Sequence, residues 1–154
     1  MTNKENIEKW GNVKLKKITE FSFLFTKEFE AWENTKKFDV LIDTREKDDI
    51  TVNQENELRN FFASSRNFFD KSKDEIIKYV LLDRENGNYQ VPQTIPEKIE
   101  SYASPKSISI TADSEKNPTS LCLLFDYKYD AEGICVMFRK GEIIQVGSQD
   151  ILVC

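Results

Sequence analysis

The chain has 154 residues, 39% of them hydrophobic, a formal net charge of -5 and an isoelectric point near 5.0. One domain of ~100–150 residues is the simplest organisation for this length, and the apolar content suffices for a core. The acidic balance argues against a general nucleic-acid or anionic-membrane binder, because phosphate neutralisation needs clustered Lys and Arg. It fits a basic protein partner, and it equally fits plain solubility.

The sequence contains no histidine, which excludes a Ser-His-Asp or Cys-His triad in its usual form. The five glycines are scattered, so neither a P-loop nor a dinucleotide fingerprint can be built. Cys122, Cys135 and Cys154 lack paired zinc spacing. Their odd number fits a reducing cytoplasm, the expected location. No cofactor is expected. The start, "MTNKENIEKWGNVKLKK", has no apolar stretch resembling a secretory signal, and no run approaches the ~18 apolar residues of a membrane span.

Taken in order, residues 1–9 are polar and expected to fray, with Ile7 and Trp10 as first anchors. "NVKLKKI" alternates Val13 and Leu15 with lysines and reads as a strand. "EFSFLF" alternates Phe21, Phe23 and Phe25. "KKFDVLIDT" puts Phe38, Val40 and Ile42 on one face and Leu41 on the other. Trp32, beside Glu30 and Glu33, is either an exposed anchor for a partner or a core residue.

Thr51 and Gln54 have capping-box spacing. Leu58, Phe61, Phe62, Phe68 and Phe69 follow at helical spacing and are expected to cover a sheet. Ser72 is the expected cap of a second helix ending at Gly87. Beyond a proline-punctuated connector, "IPEKIESY" reads as a short helix and "SISITA" as a strand. "SLCLLFDYKY", "GICVMFRK" and "EIIQVG" form a β-meander with a two-residue turn at Lys140-Gly141. The fold expected is α+β, in one domain spanning residues 1–154. It has antiparallel strands, two central helices packed on one face and a C-terminal meander, preferably in one sheet.

The candidate site residues are acidic. Asp126, Asp130 and Glu132 flank the meander's first turn; Asp43, Asp48 and Asp49 follow a strand. Two or three carboxylates on one rim can hold a hard divalent cation, or act as an acid–base pair if burial separates their pKa values. The calcium-loop spacing is absent and Lys128 intervenes, so a solvated hairpin tip is the competing reading. No metal ligand set or catalytic residue is assigned. Cys135 reads as a small buried apolar residue, and Cys154 as reactive only through exposure.

The order "FDVLIDT…DDITVNQENELRNFF…IIKYVL" followed by "SLCLLFDYKYDAEGICVMFRKGEIIQVGSQD" resembles an uncharacterised bacterial domain family of about this length. Its members share a strand ending before a Thr-x-x-Gln helix. They also share a late aromatic-Asp-x-Glu-His-Gly signature, followed by a strand and a Val-Gly pair. The matching residues are Thr51, Gln54, Tyr129, Asp130, Glu132, Gly133, Val146 and Gly147. The histidine between Glu132 and Gly133 is missing, which weakens a catalytic reading of the motif. The resemblance covers residues 30–150 and implies, loosely, a toxin immunity protein. A non-catalytic binding protein contacting a basic toxin domain through Asp43, Asp48, Asp49, Asp126, Asp130, Glu132 and Trp32 is therefore expected. The alternative is a carboxylate-based or divalent-metal enzyme centred on Asp126, Asp130 and Glu132.

Overall fold

A computed structural model describes the backbone of residues 1–153 and the side chains of residues 1–152. Seven strands form one sheet in sequence order: β1 (Lys16–Thr19), β2 (Ser22–Ala31), β3 (Asn34–Asp43), β4 (Ala103–Ile110), β5 (Leu121–Tyr127), β6 (Ile134–Arg139) and β7 (Glu142–Gly147). Every neighbouring pair is antiparallel except β3 and β4. A parallel pair needs a crossover, and α2 (Val52–Glu85) supplies it. The α+β reading holds, and the two strand groups join in one sheet.

The alternation in the strands decides the layers. Phe38, Val40 and Ile42 of β3 are buried with Ile108 and Ile110 of β4 and Leu121, Leu123 and Phe125 of β5. Phe61, Phe68 and Phe69 of α2 close over them, with Phe38 and Phe69 stacked at 5.4 Å. Burying each such side chain contributes roughly 1.5–3 kcal/mol. The phenylalanine stripe is therefore core.

The two expected helical runs meet at a kink, and it falls at Ser64, whose backbone is non-helical (φ −151°, ψ 42°), rather than at Ser72. Ser64 Oγ donates to Asn60 O at 3.2 Å. Ser72 is buried inside the helix and donates to Phe68 O at 2.8 Å, so it is no cap. A serine satisfied by the carbonyl four residues back leaves the helical ladder uninterrupted. Gly87 (φ +100°) does follow the C-terminal Asn86 cap, as expected.

Other expectations shift. Where the sequence reading left the start without an element, α1 (Asn3–Gly11) forms, capped by Thr2 and docked on α2. Glu55 accepts from Trp10 Nε1 at 3.3 Å and Arg59 Nη2 at 2.9 Å, and Trp10 packs edge-on to Phe62 at 5.0 Å. Ile7 is wholly buried. The first strand begins only at Lys16; Leu15 precedes it, with its N–H on Glu8 Oε2 at 2.9 Å. Phe21 lies half exposed between β1 and β2. "IPEKIESY" yields a single 3-10 turn, Ile99–Ser101. Lys140 (φ 52°) and Gly141 (φ 80°) make the predicted two-residue turn between paired Arg139 and Glu142.

Candidate functional site

The acidic candidates fall into two groups. Strand direction separates them: Asp43 ends β3, whereas Asp126 pairs with Ser104 at the opposite end of β4. At ~3.3 Å per residue the two rows are roughly 20 Å apart. Asp43 Oδ2 accepts from Arg45 Nη2 at 2.7 Å, a contact that raises the Arg45 pKa. Asp48 sits at φ 59° with its N–H on Thr44 O, and Asp49 accepts from its neighbour Ile50 N–H at 2.8 Å. Both shape the turn into α2.

At the other end Asp126 lies on β5, 3.9 Å from Lys106 Nζ. β5 ends at Tyr127, so Asp130 belongs to the turn and does not pair with Asp126. Its Oδ1 accepts from Glu132 N–H at 2.9 Å. The Glu132 carboxyl is raised above the usual range, first by the charge of Asp150, although its side chain is fully exposed. Among the described residues no group of three or more acidic or cysteine side chains is arranged to hold a metal ion. Trp32 is corrected as an exposed anchor. It is buried, stacked on Phe125 at 5.5 Å, with Nε1 donating to Phe69 O at 2.9 Å. Its indole thereby holds it at φ 55° in the β2–β3 turn. Cys135 is buried, as read from the sequence, beside Cys122; Cys154 lies outside the described residues.

Most residues that carry the family resemblance have structural roles. Thr51 and Gln54 form the capping box, and Gln54 Nε2 donates to Asp43 O and Thr111 O, tying β3 to β4. Tyr129 is buried against Tyr127 and Tyr102. Gly133 sits at φ +70°, where a Cβ would lie 2.6 Å from Phe125 O. A Cβ at Gly147 would lie 2.9 Å from Ile151.

Polar groups missed by the sequence reading support this frame. Asp113 is buried and accepts from Thr51 Oγ1 at 2.8 Å, Asn53 Nδ2 at 3.2 Å and Thr119 N–H at 3.2 Å. Glu57 is buried under the β6–β7 turn and accepts Lys140 N–H at 2.9 Å; burial raises its pKa. Tyr127 Oη donates to Asp83 at 2.9 Å, and burial pushes its pKa up. Their sequence signal is weak, since each is one polar residue whose partner is distant in the chain.

A groove opens elsewhere, on the face of the sheet opposite α2. The strand register lines up Leu41, Ser109, Cys122, Met137 and Gln145 across five strands on this face. Above this row runs a groove of about 730 Å³. Arg45, Glu46, Ser114 and Asn117 bound its end at the β3 and β4 termini, and Ile151 and Leu152 form another wall. Arg139 steadies the rim through Nη2 to Pro118 O at 3.0 Å and Nε to Thr119 O at 3.3 Å. Leu41 is 40% exposed and Ile144 is 44% exposed, both in its lining. The volume falls in the ~300–1,000 Å³ range of ligand clefts.

The described molecule is thus an α+β protein whose seven-stranded sheet carries helices on one face and a mixed polar and apolar groove on the other. The chain belongs to the family described as "Domain of unknown function (DUF6985)", whose model matches residues 8–153. No curated protein and no solved structure matches the sequence. No helix of the described residues is long and apolar enough to cross a membrane.

Proposed function

We propose that this protein is a non-catalytic cytoplasmic binding protein whose helix-free sheet face receives a protein partner. The partner is a basic domain, and in the most specific form of the reading it is a bacterial toxin that the chain occludes. The observation carrying this is the groove over the open face, with exposed apolar residues inside and carboxylates at both ends of the sheet. Asp43 and Asp126 alternate onto the same face as Leu41 and Leu124, so one partner spanning about 20 Å reaches both. The formal charge of -5 favours fast capture of a cation-rich surface, and the toxin-immunity resemblance points the same way.

The test is affinity capture of the tagged protein from its native cells, repeated with Leu41→Arg plus Ile144→Arg. Both side chains are exposed, so the double variant keeps its fold, which circular dichroism verifies. Expected is one stoichiometric basic protein, captured by the parent and lost with the double variant. Neutralising Asp43, Asp48, Asp49, Asp126, Asp130 and Glu132 should slow association and flatten its salt dependence. A partner retained by the double variant refutes the groove; an acidic partner refutes the charge argument.

A further inference from the structure

Sulfur is scarce in this chain and is gathered in one place. The sequence has three cysteines and two methionines. Apart from the first residue and the last, all of them, Cys122, Cys135 and Met137, meet in a single buried cluster on β5 and β6. The cluster is separate from the main core, and Leu124, Ile151 and Leu152 pack against it. Both cysteines are free thiols and wholly buried.

The strand register explains the convergence and limits what the sulfurs can do. Cys122 pairs with Met137, and Cys135 lies two residues before Met137, so the three side chains share a face. Cys122 and Cys135 are therefore diagonal neighbours, ~7–8 Å apart with their Cβ atoms somewhat closer. A disulfide needs Cβ atoms ~3.5–4.5 Å apart, less than this diagonal spans. The thiols nevertheless touch, one hydrogen-bonding to the other. Two metal–sulfur bonds of ~2.3 Å each hold an ion between such sulfurs without drawing the strands together. Met137 is a third sulfur donor, and it also lines the groove, so the cluster meets the groove at this residue.

The donor set selects the ion. Two thiols and a thioether are soft ligands, the kind that select cuprous copper, and that ion is satisfied by two or three of them. Zinc takes a fourth donor, commonly imidazole or a further thiolate, and the chain has no histidine. Among the described residues no carboxylate joins the two thiols in a group that could hold a metal ion.

We propose that Cys122, Cys135 and Met137 form a binding site for cuprous ion, with the two thiolates as principal ligands and the thioether as the third. One ion enters, both S–H bonds break, two protons leave and two S–Cu bonds form; the copper stays cuprous throughout. The loaded site carries one net negative charge. Arg139, two residues beyond Met137 on β6 and in the groove lining, opposes it with a positive one. The inference is independent of the protein partner proposed for the groove.

The test uses the full chain carrying Cys154→Ser, in which Cys122 and Cys135 are the remaining thiols. Cuprous bicinchoninate, kept reduced and anaerobic, is titrated with this protein, and loss of the coloured complex reads transfer of the ion. Expected are one ion per chain and two protons released per ion. The thermal midpoint should rise, because an ion held by the folded chain stabilises it. Cys122→Ala and Cys135→Ala should each abolish the transfer. Met137→Leu, which nearly conserves volume, should still take one ion per chain but hold it more weakly, with a smaller rise of the midpoint. Circular dichroism verifies folding of each variant; should a cysteine variant not fold, the comparison of Met137→Leu with the parent carries the test. No transfer to the folded parent overturns the proposal. So does transfer that lowers the midpoint, the mark of thiols that bind copper only once unfolded. A Met137→Leu chain that holds the ion as tightly as the parent overturns the three-sulfur site.

Discussion

Gly133→Ala measures how far the late signature is a packing device. Gly133 has φ +70°, and a Cβ there would meet Phe125 O at 2.6 Å and Gln149 Nε2 at 2.5 Å. Gly141 supplies an internal control, with φ +80° and nothing within 4 Å of an added Cβ. Both substitutions incur the left-handed backbone cost of roughly 1–2 kcal/mol. Only Gly133→Ala adds overpacking against a backbone oxygen, which cannot swing away as a side chain can, for a further ~1–3 kcal/mol. Totals of about 2–5 kcal/mol for Gly133→Ala and about 1–2 kcal/mol for Gly141→Ala follow, a difference of ~1–3 kcal/mol. With a urea slope of ~1–3 kcal/mol/M, the difference separates the two midpoints by about 1 M. Equilibrium urea unfolding, followed by tryptophan fluorescence, reads it directly. If the two variants shift by the same amount, within ~0.5 kcal/mol, then Gly133 is not held by sterics and the structural account of the motif fails.

Glu57→Gln keeps an acceptor for Lys140 N–H while removing a buried charge. It should be neutral or stabilising by up to ~1 kcal/mol at neutral pH, measured by thermal unfolding. The pH dependence has a definite sign. The Glu57 pKa is raised in the fold, so its contribution is most favourable below 4.5 and declines as pH rises through the folded value. The variant should lack that decline. Asp113→Ala strands the Thr51 hydroxyl, the Asn53 amide and the Thr119 N–H, and should cost ~2–4 kcal/mol in urea unfolding. Trp10→Ala removes the packing of α1 on Phe62 and a donor to Glu55, so amide exchange in residues 3–11 should rise far more than in the sheet.

Period-two alternation made much of the sheet legible. Phe38, Val40 and Ile42 declared their buried face, and the Lys140-Gly141 step declared its turn. Thr51 and Gln54 announced the start of α2 because a capping box is local. What failed was non-local. Docking of α1 rests on Ile7, Gly11 and Trp10 meeting α2, which a polar composition conceals. The distance between Asp43 and Asp126 depends on the directions of β3, β4 and β5, which no local pattern encodes. Trp32 was ambiguous because its acidic neighbours suggested the surface, while its indole found Phe125 and the Phe69 carbonyl. One available signal was under-read: "LCLLF" and "ICVMF" are apolar on both faces. Such runs indicate strands covered on both sides, and here Ile151 and Leu152 supply the second cover.

The groove's position follows from the one parallel pair. β3 and β4 end side by side, yet their chains leave in different directions. After Asp43 the chain passes to α2 on the helical face; after Ile110 it turns back through residues 111–120 into β5. Diverging connections at neighbouring parallel strand ends leave a crevice between them, the geometry that makes such points binding sites in open α/β sheets. Asp43, Arg45 and Glu46 from one connection and Thr111, Ser114 and Asn117 from the other line the groove at this divergence. Gln54 and Asp113 hold the two connections in register from behind. Gln54 bonds the carbonyls of Asp43 and Thr111, and Asp113 bonds the start of α2 and Thr119. The crevice is thus braced by buried polar groups at its closed end and walled on another side by Ile151 and Leu152.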